Sequence, residues 1–116
     1  MTERGAEDFD RFLETLEERL LVLAHELIGD HAKALVSDGR DFVRDTEHDL
    51  REWAAKLASG KMTTEGFALV VRGKADLAKM NALEKAGLAA VKVDKLRRSL
   101  IDAVIETATA LLVPKV

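Results

Sequence analysis

The 116-residue sequence has no cysteine and no tyrosine, and its one proline is Pro114. Without thiols there are no disulfides, no thiol nucleophile and no thiolate metal site. Aromatic residues make up only 4% of the chain, and the Val/Ile/Thr/Tyr runs between Gly/Pro turns that mark strand-rich domains are missing. No stretch reaches the ~18 uncharged apolar residues of a membrane span. Even the most apolar window, 99–113, holds Asp102 and Glu106. The first residues, Met1 to Asp8, are mixed and then acidic, unlike a secretory signal or a transit peptide, so the expected location is cytoplasmic. Gly29, Gly39 and Gly73 never cluster as a phosphate loop requires, and Ser37, Ser59 and Ser99 lack a Gly-x-Ser-x-Gly context. No catalytic residue and no cofactor are expected.

What remains is a chain rich in Ala, Leu, Glu, Lys and Arg, 47% hydrophobic and 34% charged, which reads as one all-α domain over residues 1–116. Its clearest break is Ser59-Gly60-Lys61-Met62-Thr63. Gly60 ends a helix and Thr63 caps the next, with Glu65 in the first turn. Met62 and Phe67 have the spacing of a hydrophobic staple. The break divides the chain into arms of about 7–58 and 64–113.

In the first arm Phe9, Leu13, Leu16, Leu20, Leu23 and Leu27 are spaced 4, 3, 4, 3, 4, a helical packing seam. The apolar spacing continues through Leu35, Phe42, Leu50 and Trp53. Gly29-Asp30 and Ser37-Asp38-Gly39 offer turn or cap signals, but the seam keeps its phase across both. We therefore read one long helix, kinked at its glycines if at all, in preference to two antiparallel helices. In the second arm Gly73 can end a short helix over 63–72, and Leu96, Leu100, Val104 and Leu111 form the closing seam. Pro114 is expected to end the last helix.

A 50-residue helix is ~75 Å long, and a two-helix hairpin of that length buries one stripe of each arm. Leu83, Ile101 and Ile105 lie off that stripe. This surplus predicts a long hairpin that assembles into a homo-oligomeric bundle or joins a larger protein assembly. Turns at the glycines would instead give a compact four-helix monomer. The leading expectation is thus a non-enzymatic self-association or scaffold protein acting through Leu13, Leu16, Leu20, Leu23, Leu27, Leu35, Phe42, Trp53, Leu96, Leu100, Val104 and Leu111.

Charge is unevenly placed. Residues 1–58 hold 8 Lys/Arg against 15 Asp/Glu, and residues 59–116 hold 10 against 6. Two arms attracting each other explain this better than nucleic acid, because the basic group Lys92, Lys95, Arg97 and Arg98 has no interleaved aromatics and contains Asp94. An amphipathic helix over 96–112 lying on lipid is the alternative, weakened by acids on its polar face. A third reading is a carboxylate-bridged metal bundle around Asp45-x-x-His48, with Glu84 and Asp94 as further donors. His25 and His31, six residues apart, do not share one helix face. No metal site, nucleic acid or membrane partner is expected.

Overall fold

A computed structural model describes residues 2–112, with side chains from Phe9 to Leu112; Pro114 lies outside the described residues. The fold is all-α. Its helices are α1 (Thr2–Ile28), α2 (Ala32–Ala58), α3 (Thr64–Arg72), α4 (Asn81–Lys85) and α5 (Ala90–Leu112). Short 3-10 turns lie at Gly29–His31 and Ala75–Leu77.

The first arm is not one rod. The molecule measures 43 × 23 × 23 Å, too short for a ~75 Å helix. Gly29 stands at φ +50°, the left-handed region that glycine enters without a Cβ clash. The chain reverses there, so α2 runs back along α1. Arg51 covers the ring of Phe9, Arg40 bonds Glu17, and Gly39 meets Leu20, a series in which one number falls as the other rises. The chain has the compact fold and not the long hairpin, and the continuous arm over 7–58 is corrected.

Periodicity has no power to detect this reversal. Each helix of an antiparallel pair carries its own apolar stripe, and the three-residue link happens to preserve the phase. The true α1 stripe is Phe9, Phe12, Leu16, Leu20 and Ala24, all buried. Its spacing of 3, 4, 4, 4 drifts away from the expected seam after Leu20.

Gly39 is where three helices meet. A Cβ built there would stand 2.5 Å from Leu20 Cδ1 of α1 and 3.3 Å from Leu100 Cδ1 of α5. Leu20 and Leu100 are at most 1% exposed. Removing the side chain from α2 lets the other two helices close over it, so the glycine is required by space.

One residue earlier, Asp38 starts no helix of its own. It sits inside α2, buried, and accepts hydrogen bonds from Ala82 N (2.8 Å) and Leu83 N (3.0 Å). Those are orphan donors of the first turn of α4, whose preceding residue Met80 is left-handed (φ +57°) and buried. Burial pushes the Asp38 carboxyl above its ordinary value, and the two backbone donors only partly oppose this.

The remaining turn signals hold. Thr63 Oγ1 accepts from Gly66 N at 3.0 Å, Gly60 is at φ +77°, Phe67 is buried, and α3 ends at Arg72 with Gly73 as its cap. Beyond Gly73 the chain forms a broken connection through the short α4, where the sequence pattern predicts a longer helix. Leu83, Ile101 and Ile105 are all buried inside the single chain. The surplus stripe that motivates an oligomer is consumed by the fold itself.

Two measurements test these points. Gly39→Ala should destabilise by about 1–3 kcal/mol through overpacking, contrary to the gain expected of glycine in an open helix. Combining it with Leu20→Ala should cost less than the sum of the two single changes, since the shorter side chain vacates the clash. Gly29→Ala should cost about 1 kcal/mol from left-handed strain alone. Thermal melts showing stabilisation by Gly39→Ala would contradict the three-helix contact, and stabilisation by Gly29→Ala would restore the long helix.

The second test uses pH. A carboxyl whose folded pKa is raised stabilises fully below its unfolded value and loses that contribution as pH rises through the folded value. Wild type should therefore gain stability relative to Asp38→Asn as pH falls from 7 towards 3.8. Urea melts across that range check it, and a flat difference would show that Asp38 titrates normally. Asp38→Ala, which orphans both amides, should cost about 2 kcal/mol or more at pH 7.

Candidate functional site

α5 covers one side of the α1/α2 pair, and the other side is open. There the two helices leave a groove of about 550 Å³ lined by Glu14, Glu17, Glu18 and Leu21 of α1 and by Lys33, Val36, Ser37 and Arg40 of α2. A smaller hollow of about 160 Å³ continues it past Leu13, Leu16, Val43 and Arg44. Both share Glu17 and Arg40, so together they make one trough along the hairpin.

The local sequence explains the trough. Leu13, Leu20 and Val43 point between the helices, while Leu21 and Val36 stand at the outer edge; Leu21 is 43% exposed and its neighbour Val22 60%. The α1 rim is acidic at Glu14, Glu17 and Glu18. The α2 rim facing it is basic at Lys33 and Arg40.

A two-pronged bond crosses the trough. Arg40 Nε donates to Glu17 Oε1 at 2.7 Å and Nη2 to Oε2 at 3.2 Å. The guanidinium holds the Glu17 carboxyl below its usual range. The two side chains stay 42% and 65% exposed, and such a solvated pair contributes on the order of 0–1 kcal/mol. The pair is a latch across an apolar floor and supplies little of the fold's stability.

Of the residues expected to associate, Leu16, Leu20, Leu35, Phe42, Leu96, Leu100 and Val104 are fully buried in the monomer's own core. They act as packing residues within the chain. Leu23 and Trp53 are half-buried and lie outside the trough. Leu27 and Leu111 are 44% and 37% exposed, away from it. Of the expected residues, the trough is lined by Leu13, with Leu16 and Leu20 at its floor. Leu21, Val36 and the charged rims escape the sequence reading; the signal for them is the surplus of apolar residues off the heptad at 21 and 22.

The residues weighed for metal are on the surface. Asp45 pairs with Arg44, Asp94 bonds Arg97, and Glu84 is exposed. His48, Asp49 and Glu52 bring ligand atoms within 4.8 Å of one another. Both carboxylates, however, already face lysines, Asp49 with Lys74 at 3.2 Å and Glu52 with Lys56 at 3.4 Å. No helix among the described residues is long and apolar enough to cross a membrane. Comparison with family models, curated proteins and solved structures finds no match to this chain.

Proposed function

We propose that this chain is a non-enzymatic association module whose open α1/α2 face pairs with the same face of a second copy. The observation that carries the reading is the charge pattern of the larger groove, acidic along α1 and basic along α2 beside Leu21 and Val36; in the smaller hollow Glu47 of α2 interrupts the basic rim. Two-fold symmetry allows two arrangements of a face-to-face dimer. An axis across the helices sets α1 on the partner's α1 and brings acid against acid. An axis along the helices sets α1 on the partner's α2. Glu17 then faces the partner's Arg40 in both halves, and four helices close into an antiparallel bundle. Like-charge contact disfavours the first and opposite charge favours the second.

The face is large enough. Two 27-residue helices, ~40 Å long and ~10 Å apart, present about 800 Å², the share each partner gives to an interface of standard size. An enzyme reading has no comparable support, since the trough's polar groups make a solvated ion pair. The lipid reading loses its motive, because Leu96, Leu100, Ile101, Val104, Ile105 and Ala108 are buried in the core, and α5 would have to leave the bundle to reach a bilayer.

Light scattering after size exclusion tests the proposal. At ~100 µM, about ten times a Kd of ~10 µM, the mass should approach twice 12.8 kDa. Arg40→Glu should return a monomer. The double exchange Glu17→Arg with Arg40→Glu should restore the dimer, because it reverses the Glu17–Arg40 pair and keeps that pair complementary across the interface. A 12.8 kDa species at that concentration, or failure of the double exchange to rescue, would overturn it.

A further inference from the structure

A second groove lies on another part of the surface, where the end of α1 meets the start of α5. It encloses about 300 Å³ between Leu27 and the residues Lys92, Lys95, Leu96, Arg98 and Ser99. Lys92, Lys95 and Ser99 fall within a narrow arc of α5 at 100° per residue, with Arg98 at its edge. Their cations have no salt-bridge partner among the described residues. Asp94, the acid nearest in sequence, is about 100° or more around the helix from Lys92, Lys95 and Ser99 but only about 40° from Arg98, and it is paired with Arg97. The first acid further along this face, Asp102, is set towards Arg72 at 3.8 Å.

The helix terminus adds to the same field. The first turn of α5 carries no acidic residue, so the partial positive charge of the helix start adds to that of Lys92 within that turn. The floor, by contrast, is apolar. Leu27 is 44% exposed and Leu96 lies beneath, with Val91 70% exposed nearby in sequence. Concentrated positive charge and a hydroxyl donor beside a partly exposed leucine suit an anionic ligand that also carries an apolar portion.

We propose that this groove binds a phosphate-bearing ligand with an apolar portion. The phosphate is held by Lys92, Lys95, Arg98 and the Ser99 hydroxyl, and the apolar portion covers Leu27 and Leu96. The same chemistry is found in a free phosphorylated metabolite and in an anionic lipid headgroup. The site is separate from the α1/α2 trough and does not depend on dimer formation.

Amide chemical shifts of the full chain read binding residue by residue. Inorganic pyrophosphate and dihexanoyl phosphatidic acid, below its micelle concentration, are the soluble probes. Both should shift residues 91–99 saturably. The lipid-like probe should bind at least ~10-fold more tightly, because burying a few methylenes at ~0.8 kcal/mol each exceeds 1.4 kcal/mol. Both affinities should fall several-fold between ~50 and ~200 mM salt. Lys95→Gln with Arg98→Gln should weaken binding at least ~10-fold while leaving the thermal melt unchanged, since both side chains are exposed. Co-sedimentation with phosphatidylglycerol vesicles, against phosphatidylcholine vesicles, assigns the source to a membrane headgroup if only the anionic vesicles pull the protein down. Absence of saturable shifts up to ~10 mM together with absence of sedimentation would overturn the proposal. So would equal affinity for the two soluble probes, or undiminished binding by the double variant.

Discussion

The architecture depends on the absence of a side chain at Gly39. Because α2 offers only a hydrogen there, Leu20 of α1 and Leu100 of α5 both reach its backbone, and the three long helices share one crossing point. Close packing makes such a point unforgiving, since cores at crystal-like density have no spare volume for a methyl group. Asp38, one residue earlier, faces away from that crossing and ties α2 to α4 by two hydrogen bonds. A two-residue stretch in the middle of one helix thus sets both the depth of helix packing and the position of the broken segment after α3. Met80, held left-handed and buried just before α4, is tolerated because Asp38 secures the turn that comes after it.

The helical class, the Gly60 and Thr63 boundary and the end of α3 are legible in the sequence, because each is decided by residues a few positions apart. The reversal at Gly29 is present as a Gly-Asp signal, against which the periodicity argues for continuation. Periodicity reports which face of a helix is apolar, and it carries no information about whether the chain continues or turns back. The Ser37-Asp38-Gly39 signal looks local in the sequence and is long-range in the fold. Asp38 does cap a helix, but the capped amides are 44 and 45 residues away, beyond the reach of any spacing rule. The candidate trough is less legible still. It exists because α5 packs on one side of the hairpin only, and which of two apolar faces is left uncovered is decided by packing among three helices.

The charge asymmetry between the two halves has a different outcome from mutual neutralisation. Among the described residues one ion pair links them, Lys74 with Asp49, and the Arg72–Asp102 pair lies wholly within the second half. Most of the acid on α1 and the cations at the start of α5 stay apart, at separate surfaces. Charge held apart at a cost in self-repulsion, with apolar residues exposed beside it, marks surfaces suited to a partner.

Within the trough the division of labour is set by magnitudes. The Glu17–Arg40 latch is a solvated pair, so exchanging it for the same pair across a dimer is close to neutral in free energy. Affinity must then come from the apolar floor. A few hundred Å² of leucine and valine surface removed from water, at about 25 cal/mol per Å², yields several kcal/mol before the cost of association. The charges act on geometry: they leave the axis along the helices nearly free of penalty and make the axis across them costly. In the proposed dimer such a face would bind weakly to moderately and in one orientation. Its strength should respond to leucine and valine substitutions, and its register to the order of the rims.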